Sequence, residues 1–351
     1  MQLLAENRRI ATFLIGAVLF ASGAIALRAQ DEEKKEDPYA VPATDDVEEL
    51  LTFIEDVRDL KPFGRPRGPA EYRALKRYQA KAPAAIAAAS EKILAKADKK
   101  STEYADASAY LLESKVMHFI DADEEEREKI VAAVKKHMEE YGVRRDEAGV
   151  AYGISQALER ENPKLAAAAY TDFGKLVKTS EDEELRELAK LFEGPGRRLG
   201  LVGSEMEVFG TTLEGEEFDW ESHRGKVVLI DFWATWCGPC LAEIPSLKEA
   251  YDNYHDQGFE IIGVNIDERK ITTEQYLEKN PLPWPQLFQE EEGNELAEHY
   301  GVNAIPFIVL VGKDGKVIAT DARGPKLHKH LEEIYGPPQT KEADDKEGEE
   351  E

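Results

Sequence analysis

The sequence predicts two folded parts, an all-helical domain followed by an α/β domain in which helices flank one mixed sheet. From 47 to 193, apolar residues recur at the three- and four-residue spacing of amphipathic helices. The later runs KVVLIDFW and FEIIGVNID are continuously apolar and frame a helical segment, which indicates buried parallel strands. The run IPFIVLVGKDGKVIAT indicates an antiparallel hairpin that turns at Asp314-Gly315, so the sheet is expected to be mixed.

Composition limits the classes of protein to consider. The chain has 351 residues, of which 42% are hydrophobic, so two or three folded units can each bury a core. The formal net charge of -26 at pH 7 would be repelled by phosphate backbones. A nucleic-acid-binding protein with a broad basic face is therefore disfavoured.

Residues 1–29 predict a signal peptide or an N-terminal membrane anchor. Arg8 and Arg9 precede an uncharged apolar stretch from Ile10 to Leu27. Its length lies between a signal-peptide core and a membrane span, so cleavage and retention both remain open. Because the arginine pair stays on the cytoplasmic side, the rest of the chain is expected on the periplasmic side of a bacterial inner membrane.

The remaining boundaries follow from composition. Residues 30–46 are charged and contain proline, which predicts a flexible linker. A helical domain is predicted over 47–193, and GPGRRLG then interrupts the helical pattern, so 194–202 is predicted to be a second linker. The α/β domain is assigned to 203–335, and the acidic tail 336–351 is expected to be disordered.

The helical domain is predicted to consist of stacked helical hairpins. Pairs of a small and an aromatic residue, such as Ala109-Tyr110 and Ala169-Tyr170, resemble those of tetratricopeptide-like arrays, but a strict 34-residue repeat is absent. No catalytic constellation stands out here, so the domain is interpreted as a scaffold or a partner-docking module.

Cys237 and Cys240 are the only two cysteines of the chain, and they open the helical segment that follows KVVLIDFW. With two residues between them on a first helical turn, they lie within the Cα separation that a disulfide allows. The loop they close is too small to constrain the unfolded chain much, which favours reactivity over stability as their purpose. Unpaired N–H groups and partial positive charge at the helix start favour a thiolate at Cys237.

The neighbours of the cysteines suit this site. Gly238 permits a tight entry into the helix, and Pro239 has the φ that a first helical turn needs. Trp236 is expected to cover the site, whereas Trp233 is as readily explained as core.

Together, IDFWATWCGPC, the following Pro245 and the later Ile305-Pro306 resemble the thioredoxin superfamily. An upstream hairpin, Glu243 within C-x-x-C-x-x-E-x-P, the segment WPQLF and the exported start narrow the resemblance to membrane-associated TlpA/ResA-like thiol-disulfide oxidoreductases. The resemblance covers roughly 203–335 and implies a thioredoxin-like fold there.

The resemblance also implies roles for individual residues. Cys237 would be the attacking thiol and Cys240 the resolving one, so that the two form a redox-active disulfide. Pro306 would be a cis-proline packed against the pair, although a trans proline that starts a strand is the commoner case. The residues expected to contact the substrate lie around the pair: Trp236, Gly238, Pro239 and Ile305.

Two carboxylates are further candidates. Asp231 interrupts the apolar run VVLI-D-F, where an unpaired charge would be costly. The similar aspartate of cytoplasmic thioredoxins makes it a candidate proton acceptor for Cys240, whereas many TlpA/ResA-like proteins carry asparagine there. Gly263 stands where thioredoxins often have a lysine. Glu243, one turn after Cys240, is either part of the site or an exposed helical glutamate.

The predicted function is that of an extracytoplasmic thiol-disulfide oxidoreductase that reduces disulfides in client proteins. The resemblance implies that a thioredoxin-like electron carrier or a membrane thiol reductase of the DsbD/CcdA kind supplies its electrons. No cofactor or metal is expected. Leu241 stands where a c-type haem motif needs histidine, and His328 and His330 alone do not make a zinc site.

The sequence leaves two other functions open. A peroxiredoxin-like thiol peroxidase would need a Pro-x3-Thr-x2-Cys loop, but Thr235 lies two residues before Cys237 and no such proline precedes it. A non-catalytic helical scaffold with a partner-binding thioredoxin-like domain is the other alternative, and the intact cysteine pair argues against it.

Overall fold

The structure is a computed structural model that describes residues 37–62, 64–289 and 294–338. The predicted signal peptide or anchor, the start of the first linker and most of the acidic tail lie outside these residues. Within the described part, no helix has both the length and the apolar character that crossing a membrane requires. The chain divides into two compact units, with the division between Phe192 and Glu193.

The region before the sheet is largely helical, as the sequence predicts. The described residues form seven α-helices there: α1 Val47–Asp59, α2 Pro69–Lys96, α3 Thr102–Val116, α4 Glu124–Tyr141, α5 Arg145–Glu161, α6 Pro163–Lys178 and α7 Glu183–Leu199. Side chains of Asp46, Ser101 and Asp123 accept hydrogen bonds from backbone N–H groups in the first turns of α1, α3 and α4. Helices α1, α2 and α3 pack consecutively, and α5 packs on α6.

A buried polar network connects three helices of the helical unit. His137 of α4 is 4% exposed. Its Nδ1 lies 3.0 Å from Ser108 Oγ of α3, and its Nε2 lies 3.0 Å from Glu147 Oε1 of α5. Glu147 also accepts hydrogen bonds from the backbone N and the side chain of Arg144. Each polar group therefore has a partner within the core, as burial requires.

The prediction that the helical pattern breaks at Gly194 is wrong, because α7 continues through Pro195 to Leu199. A Cβ on Gly194 would lie 2.7 Å from the backbone N of Gly301, so glycine permits a close approach of two backbones. Arg197 Nε also donates to His299 O at 2.7 Å. These contacts with a distant part of the sequence hold the last turns of α7 in place.

The second unit is built on one mixed five-stranded sheet. Its strands are β1 Val227–Trp233, β2 Phe259–Asn265, β3 Gln286–Leu287, β4 Phe307–Val311 and β5 Val317–Ala319, in the order β3-β2-β1-β4-β5. Strands β1, β2 and β3 are parallel, whereas β4 and β5 are antiparallel to their neighbours. The helices are α8 Gly238–Tyr254, α9 Lys270–Lys279, α10 Glu295–His299 and α11 Pro325–Tyr335. This is the α/β sandwich that the sequence predicts.

The sheet is buried on both faces, and this explains the continuous apolar runs. Every residue of β1 is buried. Ile230 and Phe232 belong to one core cluster, whereas Leu229 packs on the opposite face with Leu247 of α8 and Leu327 of α11. The central strand β1 thus leads directly into the turn that carries the cysteines.

The predicted upstream hairpin is short. Thr211 and Glu217 form one isolated bridge, and Thr212 N donates to Glu216 O at 2.8 Å. Gly215 has a φ of 92°, the left-handed conformation that a glycine at this turn permits.

Candidate active site

The cysteine pair lies at the N-terminus of α8, immediately after the central strand. Cys237 is the N-cap residue, and its Sγ accepts a hydrogen bond from Cys240 N at 3.2 Å. The two cysteines form a disulfide, and their Cα atoms are 5.3 Å apart. A sulfur held at the N-terminus of a helix faces unpaired N–H groups and partial positive charge, which stabilise a thiolate when the disulfide is reduced.

The two sulfurs are enclosed, but their surroundings are partly open. Cys237 is 4% exposed and Cys240 1% exposed. Trp236 is 65% exposed, so it extends into solvent next to the pair and does not bury it. Gly238 and Pro239 are exposed as well. A protein substrate can therefore contact the residues around Cys237.

Trp233 belongs to the core. It is 1% exposed, and its Nε1 donates to Gln286 Oε1 at 2.8 Å. Together with Ala234 and the cysteines it forms a small buried cluster, against which six partly buried residues pack: Leu241, Ile266, Tyr276, Leu277, Leu282 and Ile305. The indole therefore forms part of the wall behind the sulfurs.

The Ile305-Pro306 peptide bond is cis, as the resemblance implies. Pro306 immediately precedes β4, whose first residue, Phe307, pairs with Phe232 near the end of β1. Ile305 packs against the cysteine cluster. Ile305 lies 68 positions after Cys237 in the chain, yet the fold brings it to the same end of the sheet as the cysteines.

Asp231 is buried in the middle of the sheet, where it is 5% exposed. Burial, reinforced by the negative charge of Glu243, raises the pKa of its carboxyl group to about 7. Glu243 lies on α8 and is partly buried. A carboxyl group with a pKa near 7 can both accept and donate a proton at neutral pH.

Gly263 of β2 pairs with Asp231, and a side chain from β3 occupies the space beside it. An ideal Cβ on Gly263 would lie 2.1 Å from Gln286 Oε1. A neutral carboxamide therefore fills the place where the sequence comparison with thioredoxins suggests a lysine. This arrangement agrees with the raised pKa of Asp231, which is caused by burial and by the charge of Glu243.

Known proteins resemble the redox unit. The Redoxin family profile matches residues 201–334. A thiol-disulfide oxidoreductase ResA from Bacillus thuringiensis is 36% identical over 133 residues, which cover 38% of this chain and 75% of that protein. The ResA protein of Geobacillus thermodenitrificans is 37% identical over 125 residues, which cover 35% of this chain and 71% of that protein. The chain belongs to the ResA-like thiol-disulfide oxidoreductases. It is therefore an enzyme of the thioredoxin superfamily, and its helical unit lies outside the matched region.

A solved structure is also similar. The thioredoxin domain of a thiol-disulfide oxidoreductase from Bacteroides vulgatus is 32% identical, with a TM-score of 0.36. The match covers 38% of this chain and 96% of that domain.

One polar network beside the cysteines of this ResA-like enzyme is not evident from the sequence. The carboxylate of Asp267, which is 4% exposed, accepts hydrogen bonds from Thr235 N and Thr235 Oγ1, the latter at 2.9 Å. It also accepts from Asn265 Nδ2 at 2.9 Å and from Thr273 Oγ1 at 3.2 Å. The polar ending of the strand sequence FEIIGVNID was the available signal, but it does not reveal that Thr235 is the partner.

The predicted surface histidines have local partners. His328 Nε2 lies 3.1 Å from Ser246 Oγ, and His330 Nδ1 lies 3.7 Å from Glu333 Oε2. Among the described residues, no group of three or more His, Cys, Asp or Glu side chains could hold a metal ion.

Proposed function

We propose that this thiol-disulfide oxidoreductase reduces disulfides of client proteins outside the cytoplasm, with Cys237 as the attacking thiol and Cys240 as the resolving thiol. The observation that carries the proposal is the position of Cys237 as N-cap of α8, with Cys240 N 3.2 Å from its Sγ. After reduction of the disulfide, the same N–H group would stabilise a thiolate at Cys237.

The reaction consists of two exchanges. The Cys237 thiolate attacks one sulfur of a client disulfide, which forms a mixed disulfide and releases a client thiolate. Cys240 then attacks Cys237 Sγ, which releases the second client sulfur and leaves the Cys237–Cys240 disulfide. Two electrons pass from the enzyme dithiol to the client, and an external dithiol must reduce the enzyme again.

Proton transfer is assigned to Asp231. Cys240 must lose a proton before it can attack, and a buried carboxyl group with a pKa of about 7 is matched to this task at neutral pH. Glu243 assists by raising the pKa of Asp231 through its own negative charge. Asp231 and Glu243 are the two carboxylates that the sequence predicts at the site.

Clients are proposed to bind across the exposed residues at the start of α8. Trp236 offers an exposed apolar surface, and the exposed Gly238 and Pro239 lie beside it at the helix start. Ile305 packs on the cysteine cluster, and Pro306 follows it through a cis peptide bond. These residues would hold the client disulfide next to Cys237.

The direction of electron flow is proposed from the Gly-Pro dipeptide between the cysteines, which is that of reducing thioredoxins. Reduction potentials range from about -270 mV for thioredoxin to about -120 mV for the oxidant DsbA, a difference of roughly 7 kcal/mol for two electrons. Equilibration of the full chain with glutathione is expected to give a value near the thioredoxin end. A value near the DsbA end would overturn the reductant assignment.

The location is proposed from the N-terminal sequence. Arg8, Arg9 and the following apolar stretch support export, by a cleaved signal or a retained anchor. An exported reductant needs electrons from the membrane, so a membrane thiol reductase of the DsbD/CcdA kind or a thioredoxin-like carrier is the proposed donor.

Substrate trapping tests the proposed roles of the two thiols. Cys240→Ser leaves the attacking thiol but removes the resolving one, so a mixed disulfide with a client is expected to persist on Cys237. Non-reducing electrophoresis and mass spectrometry of the trapped adduct would identify the client. Cys237→Ser is the matched control and should trap nothing and lose insulin-disulfide reduction. Trapping by Cys237→Ser and not by Cys240→Ser would reverse the two roles.

A further inference from the structure

We infer that Asp267 is a positioning residue for the redox reaction, which acts through Thr235 to keep Cys237 at the N-terminus of α8. The inference rests on the proposed attack by Cys237. It adds a carboxylate that acts on this cysteine through Thr235 and not by direct contact.

The Asp267 carboxylate is fully engaged. Thr235 N lies 3.3 and 3.2 Å from its two oxygens, and Thr235 Oγ1 donates to Oδ1 at 2.9 Å. Asn265 Nδ2 and Thr273 Oγ1 donate to Oδ2. Hydrogen bonds to an ionised acceptor are stronger than those between neutral groups, and they matter most where water is excluded. Asp267 therefore holds its partners firmly.

These partners lie on three separate segments that surround the cysteines. Asn265 ends β2, Thr273 lies in α9, and Thr235 lies in the turn between β1 and α8. Thr273 Oγ1 also lies 2.8 Å from Asn265 Oδ1, so its one hydroxyl proton is shared between Asn265 and Asp267. The segment α9 carries Tyr276, whose ring centroid lies 5.6 Å from that of Trp233 in the wall behind the sulfurs. The Asp267 carboxylate thus connects the turn between β1 and α8 to the end of β2 and to α9.

The turn transmits the position of Thr235 to the sulfur. Cys237 N donates to Ala234 O at 3.1 Å, so Thr235 and Trp236 lie inside a closed turn. Cys237 in turn accepts at Sγ from Cys240 N. If the bonds of Thr235 to Asp267 are lost, the turn is no longer fixed to that carboxylate, and the Cys237 sulfur loses its alignment with the helix start. A less stabilised thiolate has a higher pKa and reacts more slowly at neutral pH.

Thr235→Val tests the inference, because it removes the Oγ1 donor and keeps the branched shape and the charge. The variant and its reference are full chains in the Cys240→Ser background, so that Cys237 is the one thiol that titrates. The rate of alkylation by iodoacetamide is measured from pH 5 to 10. We expect a raised pKa of Cys237 and about fivefold slower alkylation at pH 7, which corresponds to the loss of one hydrogen bond. Thr235→Ser restores the hydroxyl and should recover most of the rate.

Two further variants separate positioning from general stability. Ser246 lies on α8, more than one turn after Cys240. Ser246→Ala removes the contact of Ser246 Oγ with His328 Nε2. It is expected to change the unfolding temperature without a change in the alkylation profile. Thr273→Val removes the donor on the other side of the same carboxylate and should shift the profile in the same direction as Thr235→Val, by a smaller factor.

The outcomes are distinct. An unchanged profile in both threonine variants, with lower unfolding temperatures, would show that the network serves stability alone and would overturn the inference. A lowered pKa of Cys237 would also overturn it, because the carboxylate charge and not its hydrogen bonds would then dominate. Alkylation reports the thiol itself, so this result does not depend on whether the proposed client reduction is correct.

Discussion

At the residue scale, the burial of Asp231 destabilises its charged form and also brings its pKa into the range of proton transfer at neutral pH. Its pKa of about 7 keeps a large fraction of the carboxyl group protonated at neutral pH. An ionised carboxylate in this apolar sheet would be costly, and the pKa shift is the measure of that cost. The same shift brings the group into the range in which a proton can move to and from a thiol.

Asp231→Asn should make the oxidised chain more stable, in a way that depends on pH. Since the pKa in the folded state, about 7, exceeds the ordinary value of 3.8, the folded state holds a proton that the unfolded state loses between these values. The free energy of unfolding therefore falls as pH rises from about 4 to 7, and the penalty is complete above pH 7. The rise in the pKa of Asp231 from 3.8 to about 7 costs at most about 4 kcal/mol of unfolding free energy, which the variant would recover.

Denaturant unfolding of both proteins at pH 4 and pH 8 measures this difference. The variant should gain stability relative to the parent chain at pH 8 and little at pH 4. A difference that is the same at both pH values would contradict the raised pKa of Asp231.

The residues that sequence could predict are those whose role is local. Cys237 and Cys240 face each other because of their spacing, and the start of α8 could be predicted from Gly238 and Pro239. Asp267 could not be predicted, because its partner Thr235 lies 32 residues away and only the sheet brings the two together.

At the element scale, the fit between β2 and β3 depends on the absence of a side chain at Gly263. Gln286 Oε1 occupies that space and accepts from Trp233 Nε1 at 2.8 Å. The three residues therefore tie β3, β2 and β1 together beside the cysteines.

Gly263→Ala should destabilise the redox unit by about 1–3 kcal/mol, the usual cost of overpacking a core. The new Cβ would lie 2.1 Å from Gln286 Oε1, so the buried carboxamide must move and its bond with Trp233 must break. Denaturant unfolding measures the loss. Gly153→Ala is the matched control, since a Cβ there meets nothing within 4 Å. Equal effects of the two substitutions would contradict the tight fit at Gly263.

Elements with a clear period were predictable, and elements ended by distant contacts were not. The strands β1 and β2 could be predicted because a strand that is buried on both faces of a sheet has a continuous apolar sequence. The predicted end of α7 was wrong. Taken alone, Gly194 and Pro195 indicate a break in the helix, but the helix continues to Leu199. In the folded chain Gly194 instead packs on Gly301, which no local pattern reveals.

At the scale of the whole molecule, each unit has its own core. The helical unit is built around residues such as Ile54, Ile86 and Ile93, and it contains the network of His137, Ser108 and Glu147. Burial raises the pKa of Glu147, but hydrogen bonds from His137 and Arg144 outweigh it, and the net pKa is below the usual range. The carboxylate therefore contributes stability above its ordinary pKa of 4.5, and this contribution is lost as pH falls through the lowered value.

Glu147→Gln should reduce the stability of the helical unit by about 1–3 kcal/mol at pH 7, because charged hydrogen bonds are lost in the core. The difference from the parent chain should shrink below pH 4. Thermal unfolding followed by circular dichroism measures the stability. The glutathione redox equilibrium should stay unchanged, since the partners of Glu147 all lie in the helical unit. A shifted redox potential would contradict this separation.

The placement of both cysteines in one turn has a consequence for how the protein matures. A chain with 2 cysteines has a single intramolecular pairing, so the oxidised protein cannot scramble into mispaired isomers. Only a bridge to another molecule could compete with that pairing.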